Sequence, residues 1–83
     1  MNLTVRYFAS IREAIGQGSE TIHTQAITLA DLRTELIARG GAYAETLIPV
    51  RAVRMAINQE LCDGTVVLTE GCEVAFFPPV TGG

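Results

Sequence analysis

Six residues near the C-terminus, Pro78-Pro79-Val80-Thr81-Gly82-Gly83, are the part of this 83-residue sequence best suited to chemistry. They carry no charged side chain. The two prolines lack backbone donors and favour an extended path. The two glycines have no side chains, so the segment fits a channel too narrow for a Cβ. At about 3.3 Å per residue the six span ~20 Å. That is enough to carry the carboxylate of Gly83 deep into another protein.

The remaining chemistry-bearing residues do not assemble by spacing. Cys62 and Cys72 match neither a CxxC motif nor a zinc pattern, and two cysteines are too few to ligate an iron–sulfur cluster alone. They read as reduced, structural thiols. His23 is the single histidine and reads as an ordinary strand or surface residue. Glu70 and Glu73 flank a turn and read as solvated, with no large cleft to make them an acid–base pair. Gly16-Gln17-Gly18 is too short for a dinucleotide fingerprint, and no GxxxxGK[ST] is present. The chain is expected to bind neither a metal nor a cofactor itself.

Composition narrows the class further. Hydrophobic residues make up 48% and charged residues 18%, a globular balance sized for one small domain. Net charge is −3, and every basic residue is Arg: 6, 12, 33, 39, 51 and 54. Scattered arginines on an acidic chain are poorly suited to nucleic acid. No apolar run approaches the ~18–20 residues of a spanning helix, and the first residues lack the form of a signal peptide. A cytoplasmic location is expected.

The elements that must position the tail follow from periodicity. Residues 2–8 alternate, with Leu3, Val5 and Tyr7 on one face and Thr4, Arg6 and Phe8 on the other, as in a strand. Ala9 to Ile15 reads as a short helix closed by Gly16 and Gly18, and residues 20–24 as a second strand. Thr28 and Asp31 make a weak capping box. The helix they open carries an apolar stripe of Leu29, Leu32, Leu36 and Ile37, with Arg33, Glu35 and Arg39 outward and Gly40-Gly41 as its stop. Residues 42–47 offer one further turn before Pro49. Strands are expected over 51–57 and 73–77, with a short edge strand at Leu61-Cys62. In the last strand Val74 and Phe76 face inward, opposite to Ala75 and Phe77. The order implies an α+β roll, a mixed sheet covered by one main helix. Residues 1–77 would form the domain and 78–83 an extended tail.

The run Asn58-Gln59-Glu60-Leu61, Asp63-Gly64, Leu68, Glu70-Gly71 and Glu73 through Gly83 resembles the small-subunit family of molybdopterin synthase, the MoaD type. Residues 5–13 also resemble that family's first strand and helix. The resemblance spans nearly the whole chain and is most specific over 73–83. It implies a ubiquitin-like β-grasp fold and a sulfur carrier. An E1-like enzyme would use ATP to adenylate Gly83, and sulfur from a persulfide donor protein would then replace AMP to leave a thiocarboxylate. The tail, with Pro79, Val80, Thr81 and Gly82, would thread the large subunit and deliver sulfur to cyclic pyranopterin monophosphate. The family assembly is a heterotetramer of two large and two small subunits. The chain would be a carrier within an enzyme complex and not itself a catalyst.

The partner surface is expected at the strand end beside the tail, with Phe77 as an aromatic anchor and Arg54 as a charge for partner acids. Three alternatives remain open at this level. One is a carrier for thiamine, cysteine or tRNA thiolation. Another is a ubiquitin-like protein modifier. The third is an interaction module whose tail does no chemistry.

Overall fold

The computed structural model describes residues 1–79. Five strands form one mixed sheet: β1 (Asn2–Tyr7), β2 (Ser19–His23), β3 (Arg54–Ile57), β4 (Glu60–Cys62) and β5 (Glu73–Phe77). Their spatial order is β2-β1-β5-β3-β4. The first and last strands pair in parallel at the centre, and every other pairing is antiparallel. Three helices, α1 (Ala9–Ile15), α2 (Leu29–Ile37) and α3 (Gly41–Leu47), complete the described elements. This is the expected ubiquitin-like β-grasp. No described helix is long and apolar enough to cross a membrane.

Alternation decides which sheet face meets the helices. Leu3, Val5 and Tyr7 of β1 and Val74 and Phe76 of β5 are buried, as are Ile11, Leu29, Leu32, Leu36 and Leu47 of the helices. Each fully buried leucine contributes about 1.5–3 kcal/mol, so the stripe on α2 anchors that helix to the sheet. The capping box is formed: Asp31 N–H donates to Thr28 Oγ1 at 3.2 Å, and Thr28 N–H donates to Asp31 Oδ2 at 3.1 Å. Gly16 closes α1 with φ 90°, a left-handed conformation that carries no Cβ penalty in glycine.

Several boundaries differ from the periodic reading. The segment after Gly40 is a seven-residue helix and not one turn, and Leu47 on it is fully buried. Gly40 serves as its N-cap, while α2 ends earlier, at Ala38. The third strand covers only Arg54–Ile57. Arg33 and Arg39 do not simply face solvent. Arg33 donates to the carbonyls of Leu47, Ile48 and Arg51 at 2.6, 3.2 and 3.3 Å. It thereby satisfies acceptors at and after the end of α3 that the helix leaves open. Arg39 donates to both oxygens of Glu20 at 2.9 and 3.1 Å.

Candidate partner-docking site

The sheet face turned away from the helices is built from the alternate residues of the same strands. Register sets Ala56 directly beside Ala75, Arg54 beside Phe77, and Leu61 beside Ala56. The two alanines are buried and form the floor of an open groove of about 760 Å³. Phe8, Leu61 and Phe77 form its apolar walls, and Pro78 and Pro79 lie at its margin. Small residues in the floor and large ones at the sides are what make this part of the sheet concave.

The aromatic walls are fixed against each other. Phe8 and Phe77 meet edge to face, with centroids 6.4 Å apart and planes at 88°. Such a pair contributes about 0.5–1.5 kcal/mol beyond burial. The Arg6 guanidinium lies 5.2 Å from the Phe8 centroid and 4.0 Å from Glu73 Oε2. Phe8 keeps its place because its N–H still bonds Phe76 O at 3.1 Å, one residue beyond the end of β1. The lining supplies apolar area, one ion pair and one side-chain amide, from Gln59. Among the described residues it contains no Cys, His or Ser that could act as a nucleophile or as a general base of that type.

The expected site residues divide as follows. Phe77 lies on this face, half-buried, with its ring against Phe8. Arg54 is exposed beside it and belongs to neither of the two ion pairs among the described residues. Pro79 is exposed where the chain leaves the groove. Val80, Thr81, Gly82 and Gly83 lie outside the described residues. Phe8 and Leu61 were not among the expected anchors, yet they are the more exposed apolar walls, at 37% and 69%. A large apolar residue on an outward strand position was the available signal for both.

Other polar clusters are structural. The Glu20 carboxylate accepts from Tyr7 Oη at 2.8 Å and Tyr43 Oη at 2.9 Å, besides Arg39. Burial alone would raise its pKa. The hydrogen bonds from Arg39, Tyr7 and Tyr43 outweigh burial and hold it below the ordinary 4.5. Both cysteines are free; Cys72 is buried, and burial followed by the nearby Asp63 pushes the Cys62 thiol up. A raised thiol is a poor nucleophile, in keeping with a packing role.

A mixed five-stranded sheet with three helices and an apolar groove leading to Pro78-Pro79 defines a class, the ubiquitin-like β-grasp domains. Comparison with known proteins makes the assignment specific. Residues 5–83 match the ThiS family model, and the chain belongs to the ThiS family. It is 37% identical over 81 residues to the "Molybdopterin synthase sulfur carrier subunit" of Escherichia coli (strain K12), covering 98% of this chain and 99% of that protein. The same identity and coverage hold for the protein of that name from Haemophilus influenzae. A solved structure of the complex of subunits 1 and 2 of the molybdopterin-converting factor from Helicobacter pylori contains a similar chain. That chain is 27% identical, with a TM-score of 0.71 and full coverage of both.

Proposed function

We propose that this chain is the sulfur carrier subunit of molybdopterin synthase. The reading is carried by one observation: an apolar docking groove runs into Pro78-Pro79, four residues before Gly83, in a chain of the ThiS family. Its 37% identity to two molybdopterin synthase sulfur carrier subunits supports this pathway within that family.

A free carboxylate resists nucleophiles because of its charge and its poor leaving group. Adenylation of Gly83 by an E1-like enzyme with ATP makes a mixed anhydride and expels pyrophosphate. The terminal sulfur of a persulfide donor then displaces AMP to form an acyl disulfide, and attack by a thiol on the donor-side sulfur releases the thiocarboxylate and leaves the donor as a disulfide. The large subunit covers the groove, and the tail enters it with its glycines in the narrowest part. Holding the thiocarboxylate beside the cyclic pyranopterin monophosphate raises its effective concentration, so the carrier contributes proximity and not acid–base catalysis. Acids, bases and phosphate contacts belong to the partners.

The decisive experiment is intact and top-down mass spectrometry after incubation with ATP, the cognate E1-like enzyme and a sulfur source. The expected result is replacement of one oxygen by sulfur, localised to Gly83. Transfer is then followed to cyclic pyranopterin monophosphate with the large subunit present. An unchanged mass, with an activating enzyme competent on another carrier, overturns the carrier reading. Loading without transfer to that acceptor overturns the pathway alone.

A further inference from the structure

Three non-glycine residues among those described have a left-handed backbone: Ala9 at φ 50°, Asn58 at φ 48° and Gln59 at φ 69°. Ala9 and Gln59 both line the docking groove. Asn58 and Gln59 form the two-residue turn of the β3–β4 hairpin, as the Ile57–Glu60 pairing requires. Positive φ at both positions is the type I′ pattern, whose second position favours glycine.

Asn58 has a local reason to be there. Its Oδ1 accepts from Glu73 N–H at 3.0 Å, and its own N–H donates to Glu73 O at 2.7 Å, locking the turn to β5. Asparagine also tolerates this conformation well. Gln59 has no comparable excuse: glycine would make the same turn without the Cβ penalty. The residue is exposed and lines the groove. Strain retained at a surface site points from the outlier to a function.

The groove shows what that function is. Its other polar side chains, Arg6 and Glu73, face each other at 4.0 Å. Gln59 alone offers a neutral donor and acceptor together above a floor of Ala56 and Ala75. That combination is complementary to a peptide N–H and C=O. The groove is continuous with Pro78 and Pro79, so the protein that receives the tail also covers it. We infer that Gln59 is a specificity-determining docking residue whose carboxamide hydrogen-bonds a main-chain peptide group of the large subunit lying in the Ala56–Ala75 groove. This rests on the proposed function, which supplies the partner.

The test is calorimetric titration of the purified large subunit of molybdopterin synthase with the full chain and three variants. Gln59→Met keeps the length and the strained backbone but removes the amide. Affinity about three- to tenfold weaker is expected, the worth of one net hydrogen bond. Gln59→Gly should weaken binding to a similar degree while the thermal midpoint stays level or rises, because the strain is relieved. A plain turn residue would give that thermal result with unchanged affinity. Wild-type affinity for either variant, within about twofold, overturns the inference. Phe77→Ala separates the two levels. If it weakens binding while the Gln59 variants do not, only the role of Gln59 fails. If neither Phe77→Ala nor the Gln59 variants alter binding, or the wild type does not bind, the docking reading fails with it.

Discussion

Glu20 is the one carboxylate that ties both tyrosines and Arg39 together, so its protonation is a stability event. Its pKa is lowered on folding. The stabilisation it gives is therefore complete above its unfolded value and is lost as pH falls through the lower folded value. Glu20→Gln should be less stable than wild type at about pH 6, and the gap should narrow only below about pH 4.5, measured by urea unfolding across pH. A gap that stays constant to pH 3 would remove Glu20 as its source. At the other end of the chain, Gly83→Ala is expected to leave the melting temperature unchanged and to hinder activation or delivery, read by the sulfur-dependent mass shift and by synthase turnover. Phe77 was legible in the sequence because alternation along one strand fixes its face. The groove as a whole was not. Phe8 directly follows β1, while Ala56, Leu61 and Ala75 come from β3, β4 and β5, and only the spatial order of those strands brings them together. The roles of Arg33 and Arg39 were hidden for a related reason: a helical wheel gives a direction, while a long arginine reaches carbonyls or carboxylates from another element.

At the scale of elements, the capping box of α2 was legible because both of its partners lie within four residues. Its replacement by Thr28→Ala should cost about 1 kcal/mol, seen as a lower denaturation midpoint with an unchanged slope. The start of α2 depends also on a distant glycine. Gly64 O accepts from Ala30 N–H at 2.9 Å, and a Cβ on Gly64 would stand 2.9 Å from Ala30 Cβ. Gly64→Ala should therefore destabilise by about 1–3 kcal/mol. In combination with Ala30→Gly the two losses should sum to less than their separate values, and strict additivity in that double-mutant cycle would show that the contact is not the cause. Asp63-Gly64 was readable as a turn, but not as the support of a helix more than thirty positions away in the chain. Gly40-Gly41 misled for the opposite reason. Glycine marks both the end of one helix and the start of another, and the periodicity of the seven residues after it is too brief to distinguish them.

For the whole molecule, the described packing ends with β5. The last sheet pairing joins Phe77 to Arg54, and the core residues all precede it. Deletion of 80–83 should leave the thermal midpoint within about 2 °C, since it removes none of the described packing. The same deletion should abolish sulfur loading. Retained activity would favour the inert module. The central pairing of β1 with β5 has a further consequence for biosynthesis. Thr4 pairs with Glu73 and Tyr7 with Phe76, so the middle of the sheet joins the opposite ends of the chain. Long-range pairing of this kind is slow to nucleate, because the loop must close before any contact rewards it. A nascent or prematurely terminated chain lacking β5 has two disconnected strand pairs, only Ala56 left of the groove floor, and no tail. Translation errors that stop the chain before β5 are thus silenced by topology: the sheet is left in two halves with nothing to join them.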